Sequence, residues 1–185
     1  MIEEIKKDAE SRMKKTVANT RDAMSRIRTG RASPALLDHL MVDYYGTATP
    51  VTQVATVSAS DARTLTVQPW ERNMLSVIER AILESDLGLN PVTAGETMRL
   101  PLPPMTEERR VSMVKVVKNE GEDGKIAIRN IRRDAIGTVR ELLKEKEITQ
   151  DEEKPAEGEL QKLTDRFVAE IDQVVSDKEN EVMEV

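Results

Sequence analysis

Cysteine is absent from the chain, which excludes disulfides, thiolate metal sites, iron–sulfur clusters and cysteine nucleophiles. Histidine occurs once, as His39, so no multi-histidine metal site can form and only one imidazole base exists. Aromatic residues are nearly as scarce. Tyr44, Tyr45, Trp70 and Phe167 are the whole set, too few for a platform that stacks unpaired bases along a strand. The apolar runs are short, so no segment reads as membrane-spanning. The acidic, amphipathic start Met1-Ile2-Glu3-Glu4-Ile5-Lys6 lacks the apolar stretch of a signal peptide and the bias of a transit peptide. A cytoplasmic protein without a resident metal, cofactor or small-molecule substrate is expected.

What the chain has in quantity is charge: 34% of its 185 residues are Asp, Glu, Lys or Arg, with a net charge of −6. The signs are segregated along the sequence. Residues 1–30 hold 8 basic and 5 acidic side chains, and residues 31–104 hold 5 and 8. Residues 105–147 hold 11 and 9, and residues 148–185 hold 4 and 12. A localised basic face can bind a polyanion even on an acidic protein, although long helices also need charged solvent faces.

Ile2, Ile5, Ala9, Met13, Val17, Met24 and Ile27 recur at spacings of mostly 3, 4 and 7, the stripe of one amphipathic helix. It spans about 27 residues, roughly 40 Å. Thr29-Gly30 is expected to stop it, with glycine at C′. Ser33-Pro34 reads as an N-cap with proline at N1, opening a short turn. From Leu40 the pattern becomes that of extended chain, with strand-like runs at 40–45, 51–57, 64–67 and 98–100. Asn73 is placed to cap a helix carrying Leu75, Ile78, Ala81 and Ile82 that ends at Gly88 before Asn90-Pro91. Trp70 is expected to anchor this small core. Pro101-Leu102-Pro103-Pro104 ends all regular structure.

Helical periodicity returns at Thr106-Glu107-Glu108 and continues through Val117, Ile128, Ile131, Ala135, Val139 and Leu142. Each helical glycine costs about 1 kcal/mol relative to alanine, so Gly121-Glu122-Asp123-Gly124 could interrupt the segment. The stripe nevertheless keeps phase across it, which predicts one long helix. A last helix carries Leu160, Leu163, Phe167, Ile171 and Val174 at heptad-like spacing. Asp151 to Gly158, acidic and containing Pro155, is expected to be the connection before it. The expected architecture is α+β with two domains. Residues 1–30 and 105–185 form a three-helix bundle, and residues 31–104 form an inserted β/α/β domain. The two connections, Gly30-Arg31 and Pro103-Pro104-Met105, are expected side by side as a double-stranded hinge.

With Arg129 at zero on a wheel of about 100° per residue, Lys125, Arg132, Arg133 and Arg140 all fall within roughly 60° of it. The apolar residues centre about 120° away, and Asp134, Glu141 and Glu145 take the remaining third. A continuous basic stripe on a rod suits a row of phosphates, and arginine favours bidentate contact. With so few aromatics, structured RNA read by shape and backbone is the better-matched polyanion. Taken alone, the stripe fits RNA binding or an ordinary solvated face. Gly124-Lys125 lacks the following Ser/Thr and the preceding strand of a phosphate-binding loop, so that reading is rejected. Glu107-Glu108 reads as a dipole-complementing helix start rather than an acid–base pair, and His39 has no partner set for a catalytic triad.

Five motifs occur in order along the chain. They are Ile27-Arg28-Thr29-Gly30-Arg31-Ala32-Ser33-Pro34, Tyr44-Tyr45-Gly46-Thr47, Ser85-Asp86-Leu87-Gly88-Leu89-Asn90-Pro91, Leu100-Pro101-Leu102-Pro103-Pro104 with Thr106-Glu107-Glu108-Arg109-Arg110, and Arg129-Asn130-Ile131-Arg132-Arg133-Asp134-Ala135. Together they closely resemble the ribosome recycling factor family. The resemblance implies an L-shaped, tRNA-sized, non-enzymatic molecule. It implies binding to large-subunit rRNA through the bundle, with Arg129 and Arg132 at the contact, and a hinge at Thr29-Gly30-Arg31 and Pro103-Pro104-Met105. It also implies action with elongation factor G and GTP to split the post-termination ribosome, releasing mRNA and tRNA. The start of the chain resembles the bacterial type, so an organellar copy is not expected, and a monomer is. The alternative from another class is a helical-bundle adaptor for other proteins that does not bind RNA. Gly121 and Gly124 depart from the family's uninterrupted helix and place the straightness of that helix in question.

Overall fold

In the computed structural model, which describes residues 1–184, the chain divides into two compact units. The first holds Met1–Met24 and Val114–Asn180; the second holds Ser25–Met113 and Glu181–Met183.

The first unit is built from α1 (Ile2–Ser25), most of α3 (Glu107–Lys144) and most of α4 (Gln150–Met183). Its core takes Ala9, Met13 and Val17 from α1, Ile128, Ile131 and Val139 from α3, and Leu160, Phe167 and Ile171 from α4. These are the residues at 3- and 4-residue spacings, so each helix buries the stripe that its sequence displays. α3 begins as expected: Thr106 Oγ accepts from the Arg109 amide at 3.1 Å, and Glu107 and Glu108 occupy the first turn.

α3 runs without interruption through both glycines, and packing explains their presence. A Cβ on Gly121 would collide with Cγ2 of Val175 on α4. One on Gly124 would lie 2.6 Å from Thr20 Oγ1 on α1 and 2.8 Å from Ile171 Cδ1 on α4. The helices approach where no side chain intervenes, and that close packing offsets the lost helix propensity.

The connection between α3 and α4 lies earlier than the sequence suggests. Lys146 takes φ 62°, its amide donates to Leu143 O at 3.0 Å, and the Glu147 amide donates to Leu142 O at 2.9 Å. This is a Schellman termination with lysine in the left-handed position. Thr149 then starts α4 as a capping box, its own amide donating to Glu152 Oε2 at 2.8 Å. Asp151 to Gly158 is therefore the opening of a helix, not a loop. Pro155 is tolerated at an exposed position in the second turn, where the carbonyl of Asp151 can turn to water.

The second unit contains the hairpin β1 (Met41–Tyr44) with β2 (Thr47–Pro50) and a sheet in the order β3-β4-β6-β5, antiparallel throughout. Those strands are β3 (Ala55–Asp61), β4 (Thr64–Pro69), β5 (Val92–Ala94) and β6 (Thr97–Pro101), with α2 (Leu75–Glu84) between β4 and β5. Leu65 and Val67 of β4, Met98 and Leu100 of β6, and Ile78 and Ile82 of α2 are fully buried together with Leu37 and Val51. Ser33 caps the 3₁₀ turn Pro34–Leu37 as its sequence indicates.

Several local expectations are corrected. α1 ends at Ser25, so Gly30 lies beyond any helix C′ position. The expected strand at 51–57 opens as a 3₁₀ turn, Val51–Gln53, because Pro50 ends the preceding strand. Two strands escaped notice: β2, which buries no residue fully, and the three-residue, exposed β5. Asn73 makes no cap; it lies in the 3₁₀ turn Arg72–Met74 before α2 and donates to Tyr45 Oη at 3.1 Å. α2 stops at Glu84, where the Ser85 hydroxyl donates to Ile82 O. Trp70 is 64% exposed rather than central, since aliphatic residues fill the core and its Nε1 finds an acceptor in Thr56 Oγ1 at 2.9 Å.

Candidate nucleic-acid interface

The five cations expected to form a stripe on α3 all stand at its surface, flanking the buried row Gly124, Ile128, Ile131, Ala135 and Val139. Their neighbours come mainly from α4. Lys125 Nζ pairs with Asp172, Arg132 Nη1 donates to Gln161 Oε1 at 2.9 Å, and Arg140 Nε donates to Glu157 Oε1 at 2.8 Å. Among the described residues, Arg129 pairs with a residue of its own helix, Glu122, at 3.5 Å. Arg133 is exposed and shares with Arg140 an open depression of about 680 Å³ along α3.

The stripe is therefore intact as a surface but pre-engaged as charge. The Glu157 hydrogen bond raises the pKa of Arg140 above its ordinary value, which keeps an already permanent cation charged. Pairs of this kind, between partly exposed side chains, are worth about 0–1 kcal/mol. A phosphate can replace such a carboxylate with little loss, and Gln161 offers Arg132 a neutral partner to leave. Sequence reasoning found the cations but missed Glu157, Gln161 and Asp172. Their role depends on the register between α3 and α4, for which one helix's periodicity carries no signal. Gly124-Lys125 sits inside α3, consistent with the rejected phosphate loop. Glu107 and Glu108 are exposed in the first helical turn, and His39 is exposed against the Arg26 guanidinium.

The six residues of the paired connections belong to the second unit. Thr29 is buried, and its Oγ1 donates to Glu181 Oε1 at 3.2 Å while accepting from the Arg31 amide. Gly30 has φ +81°, a conformation that favours glycine, and a Cβ there would lie 3.5 Å from Met105 Cγ. Met105 is buried, whereas Pro103 and Pro104 are exposed and irregular. Both connections tie to one turn: the Ala32 amide donates to Ala62 O at 2.8 Å, and the Leu102 amide donates to Arg63 O at 2.7 Å.

Among the described residues, no group of three or more His, Asp or Glu could hold a metal ion, and no helix is long and apolar enough to cross a membrane. Fold and site together define an α+β protein of long packed helices and a small antiparallel β unit, with a row of surface arginines as its most developed site. The comparisons narrow this class. The family model for ribosome recycling factor matches residues 20–183, and the chain belongs to that family. It is 57% identical, over the full length of both chains, to ribosome-recycling factors of Legionella pneumophila strains Paris and Corby. A solution structure of the ribosome recycling factor superposes with a TM-score of 0.79 at 40% identity, covering 100% of this chain and 98% of that one. A second match, at TM-score 0.71, 46% identity and full coverage of both chains, comes from models for the T. thermophilus ribosome recycling factor and the E. coli elongation factor G bound to the E. coli post-termination complex. The chain is a non-enzymatic translation factor of ribosome recycling.

Proposed function

We propose that the protein binds the post-termination ribosome through the α3 stripe and, with elongation factor G and GTP, splits it into subunits. Lys125, Arg129, Arg132, Arg133 and Arg140 contact phosphates of large-subunit rRNA. The observation that carries this reading is that all five stand at the surface of one long helix, and that Lys125, Arg129 and Arg140 are held only by weak pairs that phosphate can displace. The T. thermophilus relative, bound with elongation factor G to a post-termination complex, supports the choice of partner.

Mechanically, residues 1–30 and 105–185 act as the rRNA-facing bundle and residues 31–104 as the inserted domain. Thr29, Gly30, Arg31, Pro103, Pro104 and Met105 form the hinge. The GTPase supplies the energy, and this chain supplies shape, affinity and a movable domain. It works as a monomer in the cytoplasm. The test is light scattering of post-termination ribosomes mixed with the protein, elongation factor G and GTP. The expected result is a fall in scattering that needs all three additions. Scattering that stays constant with all three present would refute the function.

A further inference from the structure

The cations of the α3 stripe meet a row of acceptors on α4. Glu157, Gln161 and Asp172 partner Arg140, Arg132 and Lys125 in turn, the reversed order that antiparallel helices give. Two members of the row are carboxylates, and the one that meets Arg132 is an amide. One turn further along α4, Asp165 Oδ1 accepts from Gln161 Nε2 at 2.8 Å. That bond turns the amide so that its Oε1 accepts from Arg132 Nη1 at 2.9 Å. Gln161 thus orders Arg132 without laying a negative charge on it.

The nitrogen used decides what remains free. A guanidinium meets two phosphate oxygens through a pair of parallel N–H groups, and its Nε–Nη2 edge is one such fork. On Arg140 the Glu157 carboxylate holds Nε, so that fork is occupied. On Arg132 the Gln161 bond lies at Nη1 instead, and among the described residues Nε and Nη2 have no hydrogen-bond partner. Leaving a neutral amide would cost Arg132 little, yet this geometry lets it stay bound while the fork takes a phosphate.

We propose that Gln161, set by Asp165, is a positioning residue that holds Arg132 with its Nε–Nη2 fork ready for a phosphate of large-subunit rRNA. This deepens the rRNA-binding reading and rests on it. Gln161 acts through Arg132 alone, by ordering a flexible side chain before docking rather than during it.

The test compares Gln161→Ala, Arg132→Ala and the double variant in binding to large ribosomal subunits, with NMR relaxation of the arginine Nε–H groups measured on each free protein. Gln161 is exposed, so its truncation removes no core contact. Gln161→Ala should weaken binding about 2- to 10-fold, the penalty for immobilising one long side chain at docking. It should also make the Arg132 Nε–H group more mobile while leaving that of Arg140 unchanged. In the Arg132→Ala background the same substitution should have no further effect. Gln161→Glu combined with Asp165→Asn keeps an acceptor for Arg132 and the link one turn on, and should restore the ordered signal. Unchanged or tighter binding by Gln161→Ala would refute the proposal, and so would an equal loss in both backgrounds. An Arg132 Nε–H group as ordered without Gln161 as with it refutes it too. These outcomes leave the rRNA reading standing, whereas unchanged affinity of Arg132→Ala removes that reading of Arg132 and the proposal together.

Discussion

At the scale of single residues, contacts on α3 sort the five candidate cations by what each must give up to bind RNA. Arg132 leaves only a neutral amide, Gln161, which is itself held by Asp165 at 2.8 Å. Arg140 and Lys125 must leave carboxylates. Among the members with a partner, Arg132 is therefore the one whose binding contribution is least offset. Arg132→Ala should weaken binding to large ribosomal subunits by about 1–3 kcal/mol. Its melting temperature should hardly move, because a hydrogen bond between exposed side chains contributes little to folding. Filter binding and thermal denaturation on the same preparation check both halves. Loss of stability with unchanged affinity would reverse the assignment.

At the scale of elements, the two glycines of α3 show local propensity yielding to packing. Gly121→Ala improves helix propensity by about 1 kcal/mol, yet its Cβ meets the stiff Val175 side chain. Overpacking of this kind costs about 1–3 kcal/mol, so the variant should be less stable than the parent. Adding Val175→Ala should recover much of the loss, and urea unfolding of both single variants and the double variant measures that coupling. The α3–α4 turn teaches the complementary point. Its signals, a capping box at Thr149-Gln150-Asp151-Glu152 and a left-handed Lys146, are written in the chain. Pro155 and Gly158 obscured them, because such residues usually mark a loop but are admissible in exposed helix near a terminus.

At the scale of the whole molecule, charge is the property that the proposed function would use. The protein has a net charge of −6, so the RNA attachment proposed above requires a local basic surface working against the overall field. Affinity for large subunits should fall steeply between low and moderate salt, with a log–log slope near the number of phosphates engaged. An adaptor docking by an apolar groove would show almost no such slope. Sedimentation binding assays across a salt series decide between them.

The sequence by itself determined which helical faces are buried, that glycine-containing α3 is one helix, that the arginines share a face, and that proline-rich chain closes the last strand. Each of these is a periodicity or a local backbone restriction, and both act within a few residues. Only the tertiary structure decided which side chains of α4 sit against the arginines, why Gly121 and Gly124 cannot carry a Cβ, and that Trp70 faces solvent. Those outcomes depend on the register between elements far apart in sequence, and no local preference encodes that.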